Sequence, residues 1–261
     1  MDTLPSQNLL ITGTPFSLEG KHVLVTGASS GIGFATAIAC ARMGAQVTAT
    51  GRDETRLEQT LEALGQISCA NHRSIIADLT ETDERQRLVR ELGSNIHGLV
   101  HSAGISRLCP VRMMDAGHLR EVHRTNVEAP VLLTQELLKG NRIDSGGSIV
   151  FIASIAAHIG VAGVGAYSAS KAALLAMSRC LAMEVVKRRI RVNCLSPALV
   201  ETPLLAATAQ LLGSLEQQRG QYPLGFGTPD DVANASIFLL SNASRWVTGT
   251  TLIMDGGLTI S

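Results

Sequence analysis

A phenol and an ammonium stand four residues apart in Tyr167-Ser168-Ala169-Ser170-Lys171, and a hydroxyl, Ser154, closes an apolar run thirteen positions upstream. Residues i and i+4 share one face of a helix, so the spacing predicts that the two side chains lie side by side. A free tyrosine ionises at about pH 10, and a neighbouring cation favours its phenolate. Such a pair can give or take a proton near neutrality. A serine hydroxyl brought to the same point can hold a carbonyl oxygen. This is equipment for interconverting a carbonyl and an alcohol, and it still needs a source of hydride.

A second pattern lies near the start. His22-Val23-Leu24-Val25-Thr26 reads as a short apolar strand that runs into Gly27-Ala28-Ser29-Ser30-Gly31-Ile32-Gly33, and an Ala-rich helix pattern follows from Ile32 to Met43. A glycine-rich turn between a buried strand and a helix N-terminus lets the backbone approach a diphosphate, with N–H groups and the positive end of the helix dipole facing the anion. The spacing is Gly-x-x-x-Gly-x-Gly rather than Gly-x-Gly-x-x-Gly. Taken alone it also suits an ordinary turn. Its place in the first βα unit favours a dinucleotide.

These features occur in a fixed order: Thr26-Gly-x-x-x-Gly-x-Gly33, Asp78, Ala103-Gly104, Asn126, Ser154, Tyr167-x-x-x-Lys171 and Asp255-Gly256-Gly257. Over roughly Phe16 to Gly257 the chain resembles the short-chain dehydrogenase/reductase family in its compact single-domain branch. That resemblance implies a Rossmann-type α/β fold and catalysis by Asn126, Ser154, Tyr167 and Lys171. Tyr167 would be the general acid in reduction and the base in oxidation, and Ser154 would orient the carbonyl. Lys171 would bind the nicotinamide ribose and lower the tyrosine pKa, and Asn126 would hold a water linking Lys171 to solvent. Besides Tyr167 and Lys171, the implied cofactor contacts are Gly27, Ser29, Ser30, Gly31, Ile32, Gly33, Arg52, Asp78, Leu79, Ala103, Gly104, Pro197 and Thr202. Asp78 would touch the adenine, although an N-cap-like aspartate fits the same position.

The elements that must position these residues are seven strands near 22–26, 46–50, 73–76, 97–101, 148–153, 190–195 and 251–254. Helices are expected near 32–43, 53–64, 81–92, 113–121, 126–139, 166–187 and 229–240, with caps at Thr80 and Thr228. Alternating βα units imply a doubly wound parallel sheet with helices on both faces, and ligands bind at the carboxyl ends of its strands.

The 261 residues carry 22 basic and 22 acidic side chains, so nothing points to nucleic acid or an anionic membrane. No linker divides the chain. The expected organisation is an arm, 1–15, and one catalytic domain, 16–261. The basic stretch 187–191 reads as a solvated helix end. Five cysteines without C-x-x-C spacing suit a reduced, cytoplasmic setting rather than disulfides or zinc. His118 and His123 are poorly aligned on a helix and gather no further ligands, so no metal is expected. The start lacks the basic region of a secretory signal, and no run reaches membrane-span length.

Cofactor preference turns on Gly51-Arg52. NAD-specific relatives place an aspartate at the end of the second strand, and a guanidinium there instead suits a 2′-phosphate. NADP(H) is favoured and NAD(H) stays open, because Arg52 could also pair with Glu54 or Glu58 and Ser30 replaces the second cation common in the glycine loop. Two departures from the family stand out: His101-Ser102 replaces the amide pair before Ala103-Gly104, and Ala198 replaces the glycine after Pro197.

Segments 105–114, 155–166 and 199–224 should wall the substrate pocket, the last as a lid or a subunit contact. The favoured substrate is a small-molecule or acyl-thioester ketone, as for 3-oxoacyl-[acyl carrier protein] reductases, with the basic residues around Arg188 meeting the carrier. The alternatives are a sugar, polyol or steroid-like alcohol, or a non-catalytic regulatory protein that binds the cofactor. By resemblance the assembly is a homotetramer or homodimer built on helices 126–139 and 166–187 and the last strand.

Overall fold

Runs of Val, Ile, Leu and Thr become strands where both faces can be covered. Every residue of β1 (His22–Thr26) is buried, as are the four central residues of β2 (Gln46–Gly51). Such runs mark a parallel sheet sandwiched between helices. The computed structural model describes residues 13–205 and 218–260. It adds β3 (Arg73–Ile76), β4 (Ile96–His101), β5 (Ile143–Ile152), β6 (Arg191–Pro197) and β7 (Thr251–Met254). All pairings are parallel, in the order β3-β2-β1-β4-β5-β6-β7.

Alternate residues feed opposite layers. Val23 and Val25 pack beneath α1 (Gly31–Arg42), α2 (Glu54–Ile67) and α7 (Pro229–Leu240), whereas Leu24 faces α3 (Thr82–Glu91), α5 (Ala129–Lys139) and α6 (Gly165–Val185). Strand order reverses between β1 and β4, which opens a crevice where Thr26 and His101 end their strands. The doubly wound expectation holds.

Local differences have physical causes. β5 starts at Ile143 rather than 148: Ile96 pairs with Ile143 and Gly98 with Ser148, and Gly146, at φ +83°, helps absorb the extra residues. The helix expected over 126–139 is the end of a longer segment. In it α4 (Ala116–His123) passes through a π-turn (Arg124–Glu128) into α5, next to Pro130, which has no N–H to continue the regular ladder. Thr228 caps α7 with a complete capping box to Asp231. Thr80 does not cap α3; its hydroxyl donates to Asp78 Oδ1 at 2.7 Å, and Glu81 takes the cap position.

The basic stretch is not simply a solvated helix end. Arg191 Nη1 donates to Leu239 O and Ser244 Oγ, both at 2.6 Å, and Nη2 to Ser241 O at 3.2 Å, so its guanidinium holds carbonyls at the end of α7. Burial lowers its pKa to about 10. Arg191 opens β6, so this stretch lies at the end of the sheet opposite the strands' carboxyl termini.

Of the expected arm, Pro15 O accepts from Ala243 N at 2.9 Å and Phe16 lies 6.4 Å from Phe238 across α7, while 1–12 fall outside the described residues. The lid stretch 206–217 falls outside them too. All five cysteines are free. Among the described residues no helix is long and apolar enough to cross a membrane, and no cluster of side chains could hold a metal ion.

Candidate active site

The glycine turn is shaped by close approach. Gly27 adopts φ +65°, and a Cβ on Gly33 would lie 2.2 Å from Gly27 O, so the start of α1 presses against the end of β1 as only glycine allows. Ser30, the N-cap of α1, makes no side-chain cap, and no acid occupies the first turn. The first backbone N–H groups of α1 therefore remain for a ligand. They open on a cavity of about 300 Å³ lined by Gly27, Ser29, Ser30, Arg52, Asp78 and Leu79. This cradle, built where Gly27 and Gly33 leave no room for a Cβ and topped by an exposed guanidinium, fits a phosphorylated dinucleotide.

Arg52 pairs with neither Glu54 nor Glu58. Its Nη1 lies 3.6 Å from Asp78 Oδ2, with the arginine side chain 65% exposed. Asp78 Oδ1 accepts from Thr80 N at 2.9 Å, so the aspartate serves the local turn while lining the cavity. Thr26 Oγ1 accepts from Ser102 N at 3.2 Å and Ala103 N at 3.3 Å, holding the Ala103-Gly104 strap beside the turn. Thr202 reaches over from the other side: its Cγ2 would be 3.3 Å from a Cβ on Gly31, and its Oγ1 accepts from Leu205 N at 3.2 Å.

His101, which stands in place of the family's first amide, is held from two elements. His101 stacks on Phe151 at 4.8 Å, and its Nε2 meets Thr134 Oγ1 at 2.8 Å. Thr134 Oγ1 already donates to Pro130 O, so the histidine must donate through Nε2–H. Burial lowers the His101 pKa to about 3, and the ring stays neutral. Ala198 N donates to Met254 O at 2.9 Å, which ties the end of β6 to β7.

Ser154, at the end of β5, is 8% exposed, and Lys171 on α6 is 5% exposed. Both line a second cavity of about 480 Å³ together with Tyr167 and Pro197. Lys171 Nζ donates to Ile152 O at 2.7 Å and sits 5.7 Å from the centroid of the Tyr167 ring. Burial lowers the Lys171 pKa to about 8. The expected lowering of the tyrosine pKa by Lys171 is not found. Burial raises it, and a hydrogen bond with Ser154 pulls partly the other way. The phenol and the serine hydroxyl line the same cavity.

Asn126 is buried at the π-turn. Its Oδ1 accepts from Ile105 N at 2.8 Å, and its Nδ2 donates to Ile105 O at 2.9 Å and Ser170 Oγ at 3.0 Å. Ser170 Oγ in turn donates to Tyr167 O at 2.7 Å. Sequence reasoning missed Ile105 and Ser170 as supports, although Ser170 stands inside the Tyr-x-x-x-Lys motif. Gly104 makes room for this cluster: a Cβ there would meet Asn126 Oδ1 at 3.2 Å and Lys171 Nζ at 3.4 Å. The two cavities share Ile32, Ser102, Gly104, Thr202 and Leu204, so they form one continuous crevice.

His158 and Arg107 do not line the second cavity: His158 Nε2 meets Ser196 Oγ at 3.0 Å, and Arg107 pairs with Glu121 at 2.8 Å. Arg112 is exposed and does not line it either.

Residues 27–259 match the family model described as enoyl-(acyl carrier protein) reductase. The chain is 35% identical over 253 residues to the 3-oxoacyl-[acyl-carrier-protein] reductase FabG of Chlamydia pneumoniae, covering 93% of this chain and 98% of that one. It is 33% identical over 253 residues to 2-(S)-hydroxypropyl-CoM dehydrogenase 3 of Xanthobacter autotrophicus, with the same coverage. A crystal structure with bound NADP, described as an NAD(P)-dependent gluconate 5-dehydrogenase from Beutenbergia cavernae, superposes with a TM-score of 0.87. It is 33% identical and covers 95% of this chain and 100% of its own. The order of motifs, the strand order 3-2-1-4-5-6-7 and full-length likeness to such enzymes agree: this chain belongs to the short-chain dehydrogenase/reductase family of oxidoreductases.

Proposed function

We propose that the protein interconverts a ketone and a secondary alcohol with NADP(H), and that Tyr167 gives the proton in reduction and takes it in oxidation. The observation that carries this reading is that the cavity lined by Ser154, Tyr167 and Lys171 shares Ile32, Ser102, Gly104, Thr202 and Leu204 with the cavity at the glycine turn. NADPH, when bound along the crevice, supplies the hydride. Ser154 Oγ holds the carbonyl oxygen, and the Tyr167 hydroxyl lies close enough to protonate it. Lys171, drawn in to Ile152 O, holds the nicotinamide ribose and keeps a positive charge near the phenol as alkoxide character develops. General acid catalysis of this kind is worth about 10²–10⁴-fold.

NADP(H) is favoured over NAD(H) because the end of β2 carries Arg52 and no carboxylate. Structures with bound NADP among the similar proteins support the same choice. Pro197 and Thr202 flank the nicotinamide end, and Leu79 and Asp78 the adenine end. The substrate reading follows the 3-oxoacyl thioester reductases that the chain resembles. Arg188 does not serve as a carrier dock beside the pocket, because it lies at the far end of the sheet.

We further propose a cytoplasmic homotetramer or homodimer. Exposed Met183 (76%) on α6 and Leu252 and Ile253 on the edge strand β7 would be covered by another copy. Multi-angle light scattering gives the copy number. NADPH oxidation assayed with 3-oxoacyl thioesters of graded length tests the activity, and an absence of turnover with every ketone offered rejects it.

A further inference from the structure

The second cavity, of about 480 Å³, is walled by Ile155, Ile159, Val161 and Val164 on one side and by Leu199 and Leu205 on the other. Among the described residues its one charged lining residue is Lys171, which is nearly buried and already donates to Ile152 O. The cations beside the rim do not line the cavity. Arg219, next to Gln218, binds Glu201 and lies over the Phe226 ring at 4.7 Å, and Arg107, next to Ser106, binds Glu121. The stretch 206–217, which joins Leu205 to Gln218, reads AATAQLLGSLEQ: no Lys, Arg or His, and one acid, Glu216. Among the described residues the lining therefore offers a substrate carboxylate or phosphate no cation besides Lys171, and the sequence of 206–217 contains none. The neutral polar groups on the lining, such as Gln221 and Ser106, suit an ester-like carbonyl rather than a row of hydroxyls.

We infer that the substrate enters as an uncharged ketone with an apolar body, and that sugar acids are rejected even though some similar structures are described as gluconate dehydrogenases. The inference rests on the oxidoreductase reading above. An anionic group in this cavity would lose its water without gaining a partner, whereas an alkyl chain replaces water on apolar walls.

The test uses the full chain with NADPH and a matched pair, ethyl 3-oxohexanoate and the free 3-oxohexanoate anion, which share a reacting carbon and differ in charge. A series of 3-oxo esters of rising chain length and 5-keto-gluconate complete the panel. The expected kcat/KM for the ester exceeds that for the anion by about 10³-fold or more. It rises about fourfold per added methylene until the far wall is reached. Turnover of the free anion or of 5-keto-gluconate within tenfold of the ester overturns the inference and leaves the oxidoreductase reading intact. NADPH binding seen by fluorescence, with turnover of nothing in the panel, overturns both.

Discussion

Arg52, at the end of β2, reaches over to Asp78, just beyond β3, with Nη1 3.6 Å from Oδ2. Burial pushes the Asp78 carboxyl upward, but bonds from Thr80 and the Arg52 charge outweigh it, and its pKa falls below the ordinary value. The arginine is largely exposed, so the pair is worth at most about 1 kcal/mol. It holds the guanidinium over the adenosine end of the crevice and releases it easily to a better anion.

Replacing Arg52 with Ala should therefore weaken NADPH binding by about 10–100-fold, the loss of a charge-assisted contact. NADH binding should change little. Fluorescence titration of both nucleotides checks this, and an equal loss for the two would show that Arg52 does not meet the 2′-phosphate.

Tyr167→Phe should lower kcat by about 10²–10⁴-fold while the NADPH dissociation constant stays near wild type. The substitution keeps the ring and removes only the proton. Steady-state kinetics beside cofactor titration separate the two effects.

Lys171 makes stability depend on pH with a definite sign. Its pKa is about 8 in the folded chain, against the 10.5 of an ordinary lysine. Between these values the unfolded chain binds more protons, so this group's contribution to stability rises with pH by up to about 3 kcal/mol. Cys40 works in the opposite sense from about pH 9 upward, because burial raises its thiol to about 12. The expected result is thus a difference: urea melts of Lys171→Met lack the rising component that wild type shows between about pH 8 and 10.5.

Gly33→Ala should cost about 1–3 kcal/mol of stability, because its Cβ would press on Gly27 O and force the turn open. Cofactor affinity should fall with it. Thermal melts with and without NADPH report both, and a variant stabilised by NADPH as fully as wild type would contradict the role given to the turn.

Arg191→Ala should destabilise the fold by about 2–3 kcal/mol, since it strips a charged donor from acceptors at the end of α7. KM and kcat of the remaining folded protein should stay unchanged. That pairing of outcomes separates a structural guanidinium from a docking one.

Much of the fold was legible because buried parallel strands are continuous apolar runs and each strand ends at a motif residue. The phenol, hydroxyl and ammonium were legible because i, i+4 geometry is local. What local patterns hid was tertiary. The partner of Arg52 comes from a neighbouring strand's loop rather than its own helix, and the tyrosine pKa reflects burial more than the lysine beside it. The π-turn that seats Asn126 breaks the helical period in the middle of an apparently regular segment. His101 read only as a departure from the family's amide, and its partners Phe151 and Thr134, remote in sequence, are what hold it in place.

The reversal of strand order between β1 and β4 has a consequence for biogenesis. The anion cradle is written in the first quarter of the chain, but its inner wall arrives with β4 and its proton donor with α6. A nascent or proteolysed N-terminal piece would hold half a nucleotide seat and no reactive centre. Contacts this distant along the polymer also slow folding, so competence for turnover should appear late, as a single event, rather than in stages during synthesis.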